Sequence, residues 1–348
     1  MVSILDVPAG IHDVTAQWLT AALGRPVADV RADQIAQDSG FSSLLYRLHL
    51  TGDGVPATVI AKLPAQSEAR GAMELLGGYR RELAFYQQVA GCAPMGTPQV
   101  YAAEIVDCTA DFVLLLEDLA HWDNADHLAG LSMRQTEVCI DALAGLHAWS
   151  TVNTAQLDAF PSIDTPIVRD LLVPAFGPGW QVYRDKSSAP VSAAVDGFAE
   201  RFTECAVEAL PALTERSVLL HGDIRADNLF FLGDRLKVVD FQFASLGAGA
   251  ADIAYLVSQG LPTEVRRGHD EALVGEYLDC LAAHGVSDYS FDEAWRHYRF
   301  AVAYLMMLPV ITLNGWDDMP ERSRALCLTL TERAVATIDE IDALEVFA

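Results

Sequence analysis

The sequence predicts an α+β chain of two lobes: a small lobe with a five-stranded antiparallel sheet and one helix, then a larger, mainly helical lobe. Three observations predict it. Strand-like runs recur five times before residue 119, with one helical stretch after the third. From Leu131 onward the helical period dominates. The chain has 348 residues, too many for one ordinary core and suited to two. Strand content stops and helix content begins at Glu117-Asp118-Leu119. The expected division is therefore 1–119, with a connecting hinge over 114–119, and 120–348.

The elements follow in order. Val14 to Leu23 has helical spacing, with Thr15 as cap and Gly24-Arg25-Pro26 as stop. Val27 to Gln37, Leu44 to Leu50 and Ala57 to Leu63 read as three strands. Residues 38–43 and 51–54 turn between them. Arg70 to Ala90 reads as one helix. Gln99 to Val106 and Phe112 to Leu116 are the fourth and fifth strands. The later helices are expected over Arg134 to Trp149, Ala193 to Ala209, Ala250 to Ser258, Arg267 to His284, Asp292 to Leu313 and Pro320 to Leu344.

Composition excludes several classes. The formal charge is −25, which weighs against nucleic acid and against anionic membranes. Half the residues are apolar, so the chain is globular and not disordered. No basic region followed by an apolar run opens the sequence, and its longest apolar run, Ala301 to Leu313, contains Pro309 and is short for a bilayer. The six cysteines are scattered without metal or redox spacing, as in reduced cytoplasmic proteins. Lysine is scarce: Lys62, Lys186 and Lys237 are the only three. A lysine inside the apolar run Thr58 to Leu63 therefore departs from the chain's habit.

One stretch carries chemistry: His221-Gly222-Asp223-Ile224-Arg225-Ala226-Asp227-Asn228, followed by Val238-Val239-Asp240-Phe241. An Asp and an Asn stand five apart, and a second Asp follows twelve residues after the Asn. Phosphoryl transfer from ATP uses such a group. One carboxylate orients the attacking hydroxyl and takes its proton, while an amide oxygen and a second carboxylate hold Mg²⁺ against the phosphates. Asp223 is the expected base, and Asn228 and Asp240 the expected metal ligands. Asp227 competes as a ligand; a capping role suits it better. Gly222 stands where protein kinases have Arg, and Phe241-Gln242 where they have Phe-Gly, which points to small-molecule kinases. No nucleophile elbow, zinc-protease motif or Walker lysine is present.

With these motifs the chain resembles the aminoglycoside phosphotransferase and choline kinase-like superfamily, which has a bilobal protein kinase-like fold. Within it the likeness is to the ecdysteroid kinase-like branch. That likeness rests on Gly40-Phe41-Ser42-Ser43 entering Leu45-Tyr46-Arg47, on Lys62-Leu63-Pro64, on Glu82 followed by Phe85-Tyr86, on Leu116-Glu117-Asp118-Leu119, and on His147-Ala148-Trp149. The resemblance implies an ATP- and Mg²⁺-dependent kinase for a small-molecule hydroxyl acceptor, without nucleic acid or membrane partners.

It also implies roles. Lys62 would meet the α/β phosphates while Glu82 holds it, with Glu68 and Glu74 as rival partners. Gly40, Phe41, Ser42 and Ser43 would cover the phosphates; an ordinary hairpin turn fits nearly as well. Glu117 and Leu119 would meet the adenine through their backbones. Asp252 would buttress the loop around Asp223, or simply cap its own helix. His147, on an apolar helix face, reads as a satisfied core histidine. An apolar, sterol-like acceptor would suit the aromatic groups of 176–183 and 295–313, which core packing explains as well. The alternatives are an aminoglycoside or amino-alcohol kinase, marked by acidic groups at the acceptor, and a pseudokinase that binds nucleotide without turnover.

Overall fold

A computed structural model describes residues 6–35, 43–65, 68–106 and 109–347. The chain divides into two compact units. The first comprises 1–92, 97–122 and 239–243; the second comprises 93–96, 123–238 and 244–348.

The first unit begins with α1 (Ala16–Leu23), capped by Thr15, whose hydroxyl accepts from Trp18 N at 3.2 Å. Gly24 then stops the helix in the left-handed region at φ 63°. β1 (Asp29–Ile35), β2 (Ser43–Thr51) and β3 (Thr58–Pro64) form an antiparallel meander. β4 (Val100–Ile105) and β5 (Phe112–Glu117) complete the sheet in the order β1-β2-β3-β5-β4. The five strands agree with the sequence reading to within two residues. Leu19, Leu48, Val59, Ala61 and Leu115 are fully buried together beneath α1 and form the unit's core.

The helix expected over Arg70 to Ala90 is two helices, α2 (Glu68–Leu75) and α3 (Gly78–Gln88). Gly77 has a left-handed φ of 70°, which breaks the first helix. A Cβ on Gly78 would lie 2.0 Å from Met73 Sδ, so a side chain at the start of the second helix would displace Met73.

The second unit adds β6 (Asp123–Asn124), then α4 (Met133–Val152), which opens with a capping box between Ser132 and Gln135. α5 (Phe176–Lys186) follows a single π-turn at Val168–Leu172. The helix expected over Ala193 to Ala209 is broken into α6 (Ala193–Glu200) and α7 (Phe202–Ala212). The break at Arg201 turns Phe198 edge-on to Phe202, with ring centres 5.7 Å apart. β7 (Ser217–Leu220), β8 (Leu229–Leu232), β9 (Arg235–Val238) and β10 (Ser245–Ala248) are short strands. β10 pairs with β7, and β8 lies between β6 and β9.

The remaining helices are α8 (Ala250–Gly260), α9 (Thr263–Arg266), α10 (Asp270–Ala283), α11 (Phe291–Leu305), α12 (Met307–Thr312) and α13 (Glu321–Glu340). The helix expected from Arg267 starts only at Asp270, after Gly268 at φ 77°, and the one expected over Asp292 to Leu313 is divided into α11 and α12 at Met306. Every residue of α8 is buried, and α4, α10, α11 and α13 pack around it. Residues 291–318 are long and apolar enough by length and composition to cross a bilayer. In this fold Tyr298, Ala301, Val302 and Ala303 of that stretch are wholly buried, and α11 packs on α8.

Candidate active site

In the first unit Lys62 occupies β3, opposite Leu114 of β5. Its neighbours Ala61 and Leu63 are buried, so the ammonium projects from the other face of the strand. Lys62 Nζ donates to Glu82 Oε1 at 2.7 Å, the pairing expected from the sequence, and to Asp240 Oδ1 at 2.9 Å. Glu82 comes from α3, three residues before Phe85. Phe85 stacks on Phe241 at 3.4 Å between ring centres, and Tyr86 meets Phe241 edge-on at 5.7 Å. The Glu-x-x-Phe-Tyr run thus places the glutamate and clamps the residue after Asp240. Asp240 itself has φ 69°, an unusual conformation for a residue with a side chain. Gln242 Nε2 donates to its other oxygen at 3.4 Å.

One ammonium faces two carboxylates here, and this explains two opposed tendencies. Lys62 is held charged: burial works against its ammonium, but Asp240 and Glu82 outweigh that. Glu82 is nevertheless raised to about 7, because its burial and the competing charge of Asp240 outweigh its share of Lys62. The two shifts are consistent for three charges with a net excess of one negative, and the raised direction for Glu82 follows from its 1% exposure.

Glu117 ends β5; its N–H donates to Gln99 O at 2.8 Å and its carboxylate accepts from Gln99 N at 2.9 Å. Arg47 of β2 holds Asp118 through Nε at 2.7 Å and Nη2 at 3.2 Å, which ties the hinge to the sheet. Leu119 is buried and its carbonyl accepts from Trp122 N. Gly40, Phe41 and Ser42 lie outside the described residues. Ser43 begins β2 with its hydroxyl buried and without a hydrogen-bond partner.

In the second unit the loop after β7 is built from below by Asp252 of α8. Asp252 Oδ2 accepts from His221 N at 2.7 Å and Oδ1 from Gly222 N at 3.0 Å. His147 Nε2 lies 3.3 Å from the same carboxylate, and His147 Nδ1 lies 2.8 Å from the Tyr277 hydroxyl. His147 is a fully buried, satisfied histidine. Gly222 sits at φ 78°, in the left-handed region. An arginine there would be strained, so glycine follows from the path of this loop. Asp223 N donates to His221 Nδ1 at 3.1 Å.

Three side chains from this unit converge on the Asp223 carboxylate. Arg225 Nε lies 3.0 Å from Oδ1, Tyr255 OH donates to Oδ1 at 3.4 Å, and Asn228 Nδ2 stands 3.5 Å from Oδ2. Asn228 Nδ2 also donates to the Asp223 carbonyl at 2.9 Å. Its amide hydrogens are therefore committed, and Oδ1 is the atom left to meet a ligand. Asp227 caps: its Oδ1 accepts from His127 N at 3.1 Å, while Ala226 N donates to His127 Nδ1 at 2.9 Å.

Arg225, Tyr255 and His127 were not singled out from the sequence. His127 and Tyr255 are about a hundred and thirty residues apart and meet the loop only through folding; Arg225 stood inside the motif, and its position two residues from Asp223 was the available signal. The aromatic groups of 176–183 turn inward: Phe176, Trp180 and Tyr183 are buried, with Phe176 stacked on Phe202 at 3.8 Å. They pack the core of the second unit.

Within the first unit Asp240 offers a carboxylate and within the second Asn228 offers an amide oxygen, each a donor of the oxygen type that Mg²⁺ prefers. Among the described residues no three His, Cys, Asp or Glu side chains gather to hold a metal by themselves. The unpartnered Ser43 hydroxyl and Glu82 Oε2 are buried polar atoms of the kind a bound ligand or water satisfies.

A model of the ecdysteroid kinase-like family matches residues 37–286. No curated protein matches the sequence. Among solved structures, a provisionally assigned aminoglycoside phosphotransferase from Ralstonia eutropha JMP134 shares the fold with a TM-score of 0.57 and 15% identity, over 94% of this chain and 97% of the other. Choline kinase from Cryptosporidium parvum gives 0.56 and 11%, over 90% of each chain. Wild-type aminoglycoside 2'-phosphotransferase-IIIa, solved as its GDP complex, gives 0.55 and 15%, over 89% and 93%. At these identities the likeness shows the fold.

Proposed function

The chain belongs to the ecdysteroid kinase-like family, and from that premise we propose that it is a kinase that moves the γ-phosphate of ATP to a hydroxyl of a small-molecule acceptor. The observation that carries the reading is the Asp223 carboxylate, braced through its loop by Asp252 and oriented by Arg225, Tyr255 and Asn228. A carboxylate so fixed aligns an attacking hydroxyl and accepts its proton as the bond to phosphorus forms. A loose transition state keeps that proton until late, so alignment matters more than basicity.

The other residues divide the work. Lys62, steadied by Glu82, neutralises the α/β phosphates. Ser43, at the start of β2, is positioned by its buried, unpartnered hydroxyl to donate to them. Glu117 and Leu119 meet the base through their backbones. Asn228 and Asp240 supply oxygens to Mg²⁺, which when bound offsets charge on the phosphates. The GDP bound by one neighbour makes GTP the donor to compare with ATP. The aminoglycoside or amino-alcohol kinase and the pseudokinase are the rival readings, and intact Lys62, Glu82, Asp223, Asn228 and Asp240 speak against the latter.

Asp240→Ala tests the metal and nucleotide part. Titration calorimetry should show nucleotide binding that Mg²⁺ strengthens in the parent and leaves unchanged in the variant. An equal Mg²⁺ dependence in both would remove Asp240 from the metal site.

A further inference from the structure

The loop that carries Asp223 is held at two places. Asp252, in the first turn of α8, accepts from His221 N and Gly222 N at one end. His127, between β6 and α4, holds the other. Its Nδ1 accepts from Ala226 N at 2.9 Å, and its own N donates to Asp227 Oδ1 at 3.1 Å. The ring and the backbone of one residue thus grip two successive residues of the single helical turn Ala226–Asn228. That turn delivers Asn228, whose Nδ2 donates back to the Asp223 carbonyl at 2.9 Å.

His127 is itself fixed. It is 1% exposed. Arg333 of α13, also buried, donates through Nη1 to the His127 carbonyl at 2.9 Å and to the Gln259 carbonyl at 3.0 Å. Its Nη2 donates to the Leu128 carbonyl at 2.8 Å. Gln259 lies in the last turn of α8. Both ends of the loop are therefore tied to α8, one directly through Asp252 and one through Arg333 and His127. Burial holds the His127 imidazole down to about 3, and Arg225 and Arg333 push it the same way. The ring thus stays neutral and its Nδ1 stays an acceptor. A buried N–H that loses its acceptor is costly, so a residue at 127 without one loosens the turn.

We propose that His127 is a positioning residue of the phosphoryl-transfer site: through the turn 226–228 it sets where the amide oxygen of Asn228 points. The inference rests on the kinase reading, in which that oxygen meets Mg²⁺. Partners one step removed from a metal ligand change metal affinity by about ten- to hundred-fold when they are lost.

Two variants of the full chain test it. His127→Leu occupies similar space and lacks the acceptor, whereas His127→Asn puts its amide oxygen near where Nδ1 stands. Hydrogen exchange reads the turn itself: the Ala226 amide should exchange about ten-fold faster in the Leu variant and near the parent rate in the Asn variant. Titration calorimetry with ATP reads the consequence. The Mg²⁺ concentration that half-saturates the strengthening of ATP binding should rise about ten-fold in the Leu variant. ATP affinity without Mg²⁺ should stay at the parent value, and the Asn variant should recover most of the Mg²⁺ response. A merely structural role would weaken binding with and without Mg²⁺ alike. Should the Leu variant not fold, His127→Gln, whose amide oxygen lies one bond too far out, takes its place with the same expectations. A variant that frees the Ala226 amide yet keeps the parent's Mg²⁺ dependence overturns the proposal, as does an Asn variant no better than the Leu variant. A parent whose ATP binding does not respond to Mg²⁺ overturns the kinase reading, and this inference with it.

Discussion

Asp223→Asn keeps the shape of the side chain that Arg225, Tyr255 and Asn228 surround, and removes the carboxylate proposed to take a proton. Single-turnover transfer to an identified alcohol should fall by roughly 10²–10⁴-fold, while Mg²⁺–nucleotide affinity barely moves. Near-parental transfer would dismiss Asp223 as the base. Glu82 yields a second prediction. Its folded pKa is raised from the usual carboxylate value of 4.5 to about 7, so the folded state holds the proton more tightly. Its contribution to stability is thus full below about pH 4.5 and is lost as pH rises through about 7. Lys62 stays charged across that window and contributes no slope of its own. Denaturant titrations at pH 5 and pH 8 should show the parent losing more stability than Glu82→Gln; equal losses would refute the shift. At this scale the sequence was informative where spacing along the chain encodes geometry. Asp223 and Asn228 share one loop, so their contact could be read locally. Tyr255 and His127 could not, because nothing near them in sequence marks the contact.

At the scale of elements, α8 is the hub, and its start depends on one glycine. A Cβ on Gly249 would lie 2.1 Å from the Tyr277 hydroxyl and 2.7 Å from His147 Nδ1. Gly249→Ala must therefore part the His147–Tyr277 contact and shift the first turn of α8, which carries Asp252. The expected destabilisation is about 1–3 kcal/mol, the range for overpacking a core, with a fall in turnover larger than any change in nucleotide affinity. Thermal unfolding and kinetics together check it; unchanged values for both would mean that the three helices give way freely. Elements were legible in proportion to their length and contrast. The strands of the first unit read as runs bounded by turns, with β5 a continuous apolar run. The helix breaks at Gly77, Arg201 and Met306 were not seen, because apolar spacing continues across each of them. β7 and β10, with four residues each, are too short to show a period.

At the scale of the molecule, a ligand that binds only the folded chain raises its melting temperature by mass action. ATP with Mg²⁺ at a hundred times its dissociation constant should stabilise by about 2.7 kcal/mol, a rise of several degrees. A chelator should remove the Mg²⁺-dependent part in the parent and have no such part to remove in Asp240→Ala. A nucleotide shift indifferent to chelation would dissociate the metal from the nucleotide.

The first unit includes residues 239–243, although β9 and β10 on either side belong to the second. It is therefore not a cassette that a gene fragment can encode. A piece ending at residue 122 lacks Phe241, which is wholly buried against Phe85, and lacks the carboxylate that shares Lys62 with Glu82. Such a piece would expose aromatic rings and leave the ammonium with one partner. Chimaeras joined at that boundary should misfold unless the donor of the first half also supplies the five residues around Asp240.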